Sequence, residues 1–271
     1  MSSFNLESPL IWVGSKRWQV PYIRPLWKAH ESRRYVEPFC GGLSMALALE
    51  PALAVLNDAN PYLINFYGWL QSGWVYRETD NISNTKAMYY ELRDEFNEKL
   101  SHETLDDAKR FYVLNRMGYK GLFRLNKQGK LNTPYGYRDG ANGNIIGAPN
   151  YTAYQHVFRN WSFTTGAYHT VDVRPDDFLY LDPPYDTDFT SYTASGFTWQ
   201  EQEQVATWAA AHTGPVVLCN QATPRIVELY TKLGFELHYA NRIERMRSRE
   251  MPQSSEVIAL RNLSYPHDSL F

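Results

Sequence analysis

Apolar and polar positions along the 271 residues follow two rhythms. Short unbroken apolar runs, Phe178-Leu179-Tyr180-Leu181 and Val216-Val217-Leu218-Cys219, mark strands buried on both faces of a parallel sheet. Comparable runs at 34–37, 53–58, 235–240 and 256–260 predict further strands, and Trp161-Ser162-Phe163-Thr164 alternates as a half-covered one. Between them the spacing lengthens to three and four. It predicts helices over 20–28 and 44–49, and from Pro61 to about residue 115 the chain turns helical. Tyr89, Leu92, Phe96 and Leu100 form one inward stripe there. Thr104 with Asp106 and Asp107 reads as a helix start, as do Thr198 with Glu201 in capping-box spacing and Thr223 before Pro224. Strands alternating with helices predict an α/β sheet, one domain carrying an insertion.

Three strand ends carry polar residues suited to chemistry. Asp182-Pro183-Pro184-Tyr185 follows the 178–181 run, and its prolines end the strand because neither donates to a ladder. The acid thus sits at the carboxyl edge, where open α/β sheets bind ligands. A carboxylate, a proline carbonyl and an aromatic face can accept two hydrogen bonds from a planar amine and stack on its ring. Taken alone, the four residues read better as an ordinary strand-to-turn junction, and their weight comes from what lies upstream. Gly41-Gly42, between the strand at 34–37 and the helix at 44–49, lets a ligand approach backbone amides closely. Asp58 closes the next strand, where nucleotide-binding α/β folds place an acid for ribose hydroxyls. The full G-x-G-x-x-G spacing of a dinucleotide site is absent. Cys40, inside the glycine turn, is poorly placed to attack a substrate and reads as structural. Trp12-Val13-Gly14-Ser15-Lys16-Arg17 reads, from spacing alone, as a surface turn with solvated charges.

Charge changes the picture in the middle of the chain. The formal net charge is -2, so any nucleic-acid affinity must come from a local basic surface. Residues 109–138 hold eight cations and no acid, interleaved with Tyr119, Phe123, Tyr135 and Tyr137. A solvated face normally carries both signs, so this segment reads as a surface for a polyanion, with 125–131 as a hairpin tip. A glycine- and asparagine-rich stretch over 140–149 ends it. Arg242, Arg245, Arg247 and Arg249 are a second set of candidate phosphate contacts, and 186–192 is a polar loop able to fold over a substrate. High aromatic content, 15% with 20 Tyr and 8 Trp, suits base stacking. Two scattered cysteines and an N-terminus without signal-peptide character predict a reduced cytosolic protein, and no apolar run approaches membrane-spanning length.

Taken in order, these motifs resemble the DNA adenine methylase (Dam) family of adenine-N6 methyltransferases. The resemblance rests on 12–16, on Val36-Glu37-Pro38-Phe39-Cys40-Gly41-Gly42, on Asn57-Asp58-Ala59-Asn60, on 114–124, on Asn132-Thr133-Pro134-Tyr135-Gly136 and on Asp182–Tyr185. It implies a Rossmann-like methyltransferase sheet over 1–60 and 150–271, with a helical and hairpin DNA-recognition insertion over 61–149. It implies S-adenosylmethionine as donor, held by Trp12, Lys16, Phe39, Gly41, Asp58 and Asp182, and Asp182, Pro183, Pro184 and Tyr185 as the catalytic set. Arg116, Tyr119, Lys120, Leu122, Arg124, Pro134 and Tyr135 are implied to face duplex DNA, Tyr119 at the opened base pair and Arg124 on a base edge. The chain departs from the family at Ser15 and Leu43, where glycines are frequent, at Ile11, where a lysine is, and at Lys120, where an asparagine is. The last two lie on positions implied to face DNA, so they bear on the family's common GATC target.

The expected reaction is attack of an adenine 6-amino group, turned out of the duplex, on a sulfonium methyl, with no metal and no covalent enzyme intermediate. Cytosine-N4 and RNA adenine methyltransferases present the same kind of amine. A DNA-binding regulator without catalysis is the reading from another class, and intact Asp58, Asp182 and Tyr185 argue against it.

Overall fold

The computed structural model describes residues 6–75, 82–136, 151–186, 197–241 and 255–266. Seven strands form one sheet: β1 (Tyr35–Glu37), β2 (Ala54–Asp58), β3 (Trp161–Thr165), β4 (Phe178–Leu181), β5 (Val216–Gln221), β6 (Glu236–Asn241) and β7 (Ser255–Arg261). Their order is β3-β2-β1-β4-β5-β7-β6. Every described pairing is parallel except those of β7, which runs antiparallel to β5 and β6. The order reverses between β1 and β4, and this switch point is where a doubly wound sheet opens a crevice.

Side-chain alternation divides the core. Phe178 and Tyr180 of β4 face one layer, with Tyr35, Leu56 and Val217; Leu179 and Leu181 face the other, with Val36, Val55 and Leu218. A period of two forces this, because successive strand residues point to opposite faces. The second layer is closed by α7 (Trp199–Ala210) and α8 (Pro224–Lys232), through Val205, Ala209, Ile226 and Tyr230. Both helices begin where their caps predict: Thr198 and Glu201 form a reciprocal capping box, and the Thr223 side chain accepts from the Ile226 N–H.

The first layer is closed by α1 (Val20–Lys28), α2 (Ser44–Leu49), α3 (Pro61–Gln71) and α6 (Tyr151–Phe158). α3 packs on β2 and β3 and also on the helix at 105–117, where Phe66 stacks on Tyr112, so it joins the sheet to the segment that follows. Beyond it lie α4 (Lys86–Lys99) and α5 (Leu105–Met117), then a hairpin whose tip is closed by Leu125 opposite Leu131. These elements share the first layer's core through Tyr89, Phe96, Phe111 and Tyr112. Of the stripe read along α4, Tyr89 and Phe96 are buried and Leu92 is half-buried. Leu100 is instead 38% exposed, because the helix stops at Lys99 and Leu100 takes a left-handed φ of 45°. Among the described residues no helix is long and apolar enough to cross a membrane.

Candidate active site

A cavity of about 1140 Å³ opens at the carboxyl edge of the sheet, over the β1/β4 switch point. It has two walls. One is made by the strand ends and the 12–16 turn, and the other by Gly121, Leu122, Phe123 and Arg124 of the segment that leaves the sheet.

On the sheet wall, main-chain and side-chain groups interlock. Cys40 N–H donates to the Asn57 carbonyl at 2.8 Å, tying the β1 turn to the end of β2. Asp58 accepts from the Gly41 N–H at 3.0 Å through one carboxylate oxygen and from the Asn60 N–H at 2.9 Å through the other. Burial pushes the Asp58 carboxyl upward, and these two backbone donors pull it back. Trp12 lies against Gly41 and Gly42: a β-carbon on Gly42 would come within 2.7 Å of the Trp12 Cβ. The glycine pair therefore admits the indole as well as any ligand, and the turn carrying Trp12 and Lys16 lines the cavity, which spacing alone had assigned to solvent. Phe39 stacks on Tyr168 at 5.6 Å between ring centres and meets Phe197 edge-on at 6.2 Å, an aromatic flank to the same space.

Asp182 sits where β4 ends. Its Oδ1 is buried without a hydrogen-bond donor, and Lys16 Nζ lies 3.3 Å away without aligning on it. Burial raises the carboxyl to about 6, the Lys16 ammonium opposing and the Glu256 carboxylate reinforcing the rise. Lys16 Nζ also stands 4.0 Å over the centre of the Tyr185 ring. Behind the motif, Gln202 of α7 donates to the Pro184 carbonyl at 2.7 Å and the Asn220 side chain accepts from the Asp186 N–H at 3.1 Å. The loop is held from behind, and Asp182, Pro183, Pro184 and Tyr185 all line the cavity.

The recognition wall brings together some of its expected residues and not others. Leu122 and Arg124 line the cavity, the Arg124 Nε donating to Asn132 at 2.9 Å. Tyr119 is 45% exposed beside it, its N–H donating to the Pro134 carbonyl at 2.9 Å, and Lys120 and Pro134 are exposed. Arg116 and Tyr135 are half-buried and do not line the cavity. The Tyr135 phenol donates to the Asn84 carbonyl at 3.2 Å and its ring lies 5.7 Å from Tyr89, which makes it part of the packing under the hairpin. Tyr137, Arg138, 140–149, the 187–192 part of the polar loop and Arg242, Arg245, Arg247 and Arg249 lie outside the described residues.

Several polar residues of the site escaped the sequence reading. Asn115, fully buried in α5, accepts from the Ile11 N–H at 3.0 Å and donates to the carbonyls of Ile11 at 2.8 Å and Gly121 at 3.1 Å. It clamps the residue before Trp12 to the recognition turn. Gly121 has a φ of 68°, and a β-carbon there would meet the Ile11 carbonyl at 2.3 Å, so only glycine allows the approach. Glu37 is 3% exposed at the end of β1, and burial, with the Asp182 and Asp58 charges, pushes its carboxyl well up. Cys40 is buried and its thiol is pushed well up, which leaves no thiolate for attack. Asn115 and Glu37 lie inside motifs that carry the family resemblance, which points to their neighbours and not to them, and Glu256 has no sequence signal.

Residues 12–247 match the family described as D12 class N6 adenine-specific DNA methyltransferase. The Retron Ec67 DNA adenine methylase of Escherichia coli is 29% identical over 268 residues, covering 94% of this chain and 91% of that protein. A DNA adenine methylase of Vibrio cholerae serotype O1 is 30% identical, covering 93% of this chain and 94% of its own length. The type II methyltransferase M1.LlaDCHI of Lactococcus lactis subsp. cremoris is 28% identical, over 95% and 96%.

Proposed function

The chain belongs to the D12 class of N6 adenine-specific DNA methyltransferases, and within that activity we propose that it methylates an adenine turned out of duplex DNA, with S-adenosylmethionine as donor and GATC-like sites as targets. One observation carries the reading of the site: Asp182 lines a cavity that both walls share, its Oδ1 buried with no aligned hydrogen bond and with the Lys16 ammonium 3.3 Å away. An unsatisfied buried acceptor is costly, and a ligand amine removes that cost. The donor suits the sheet wall on a different ground: Asp58, fixed by the Gly41 and Asn60 N–H groups, lines the cavity where a ribose hydroxyl could donate to it, and Asp182 offers negative charge to a sulfonium.

When bound, S-adenosylmethionine supplies an electrophilic methyl group. The protein's own part is binding and alignment. Asp182 and the Pro183 carbonyl accept hydrogen bonds from the adenine amine, drawing its nitrogen towards sp³ and exposing a lone pair that the ring otherwise withdraws. Tyr185 stacks on the extruded ring, a contact worth ~1–3 kcal/mol, and Tyr119 fills the gap in the duplex. Holding amine and methyl in line supplies roughly 7–11 kcal/mol of the barrier reduction. Chain segments 1–60 and 150–271 do this chemistry, and 61–149 supplies recognition, with α3 at its border packed on both. Asp182→Ala is expected to abolish methyl transfer while donor binding survives; wild-type-like transfer in that variant would sink the reading. Mapping N6-methyladenine in the DNA of an expressing, methylase-deficient host tests the GATC assignment, and marks at unrelated sequences would overturn it.

A further inference from the structure

The topology of the sheet puts a second carboxylate next to the catalytic loop. β7 alone runs against its neighbours, so its first residues, not its last, reach the carboxyl edge where β4 and β5 end. Glu256, paired with Gln221 of β5 and Ala240 of β6, arrives there. Its Oε2 accepts from the Tyr185 phenol at 2.5 Å and from Gln19 Nε2 at 2.6 Å. Gln19 is fully buried, and its own oxygen accepts from the Tyr180 phenol at 3.3 Å and the Cys219 thiol at 3.5 Å. The turn at 16–19 therefore serves two carboxylates, Lys16 reaching Asp182 and Gln19 reaching Glu256.

A neutral acceptor would satisfy a buried phenol. A carboxylate adds a charge beside Asp182, which is already short of solvent, and that cost is one a purely structural partner avoids. We propose that Glu256 is a positioning residue of the methyl-transfer site, fixing the plane of the Tyr185 ring through its phenol and setting the charge balance around Asp182. This rests on the reading of Asp182 and Tyr185 given above. The plane matters because a stacked base inherits its orientation from the ring beneath it, and a small misplacement of the amine costs much of the alignment.

The charged and titratable groups around the pair are Lys16 from the N-terminal turn, Tyr180 from β4, Tyr185 from its loop, Cys219 from β5 and Glu37 from β1. Of these Lys16 opposes Glu256 in its effect on Asp182, and the Tyr185 phenol also favours the ionised form. Two variants therefore separate the two roles. Glu256→Gln keeps an acceptor for the phenol but removes the charge, and Tyr185→Phe keeps the charge but removes the phenol.

The test combines single-turnover methyl transfer to unmethylated DNA with a carboxyl ¹³C titration of Asp182 in the ligand-free full chain. Each variant is expected to lose about ten- to hundredfold in rate, with the donor's KM changed far less. Glu256→Ala removes the acceptor as well as the charge, so the double variant Glu256→Ala with Tyr185→Phe should be no slower than Glu256→Ala alone, because both changes break the same contact. Asp182 should titrate lower than wild type in Glu256→Gln. Multiplying losses in the double variant, or a Glu256→Gln protein with wild-type rate and wild-type Asp182 titration, overturns the role of Glu256. Retained transfer in Asp182→Asn would instead overturn the underlying site assignment, so the two failures are distinguishable.

Discussion

On the sheet side of the cavity, Asp58 is held by two backbone donors and the loop after Asp182 is held from behind by Gln202 and Asn220. On the facing side, Tyr119, Lys120 and Arg124 project from a short turn and a hairpin into solvent. The first wall is organised before any ligand arrives, as methyl transfer requires, because alignment helps only if it is not lost to reorganisation. The second leaves its cations in solvent, available to the duplex that we propose it reads. At their seam Asn115 joins them with two hydrogen bonds to Ile11 on one side and one to Gly121 on the other. The two walls differ in how firmly their side chains are held because they are built on different elements.

The contrast can be broken most severely at the chemistry. Asp182→Ala should lower single-turnover transfer by about a thousandfold or more, while Arg124→Ala leaves the rate at saturating DNA nearly intact. Next comes the seam. Asn115→Ala leaves Ile11 and Gly121 groups without partners, which should cost about 2–4 kcal/mol in denaturant unfolding and weaken donor and DNA binding together. If only one affinity falls, the two walls are independent.

The strain stored at Asp182 gives a prediction of opposite sign. Its folded-state value of about 6 lies above the ordinary carboxyl value of 3.8, so the folded protein binds more protons between them. The stability this group contributes is therefore full below about 4 and lost as pH rises through about 6. Asp182→Asn should consequently be more stable than wild type at pH 7 by about 1–3 kcal/mol, with no such gain at pH 4, as thermal unfolding at the two values will show. Wild-type transfer should decline as pH falls through about 6, where the carboxylate becomes protonated. Arg124→Ala should relax discrimination by ~1–3 kcal/mol at one base pair; a uniform loss on all sequences would make it a phosphate contact.

The smallest expected effect concerns a departure from the family. Lys120 adopts a φ of 52°, a left-handed conformation that asparagine tolerates better than lysine. Lys120→Asn should therefore stabilise the recognition turn by about 0.5–1 kcal/mol, measurable by thermal unfolding. Leu43 has a similar φ of 60° where the family often carries glycine, yet Leu43→Gly should destabilise. Leu43 is fully buried, and emptying a buried leucine costs about 2–5 kcal/mol, more than the strain relieved.

Much of this was legible in the residue order. The strands at 178–181 and 216–221, the caps at Thr104, Thr198 and Thr223, and the acids at the ends of β2 and β4 follow from periodicity and local hydrogen bonding, which act over a few residues. Family motifs extended this to Trp12 and Lys16, which spacing had left in solvent. Only the tertiary structure could show that α3 joins the sheet to α5, that the Tyr135 ring lies against Tyr89, and that Asn115 spans to Ile11 across 104 residues. It alone brought Glu256 to Tyr185, 71 residues away, through the reversed direction of β7. Periodicity says which way a side chain faces. The partner it meets is decided by strand order and direction, and those are settled by long-range packing that no local window contains.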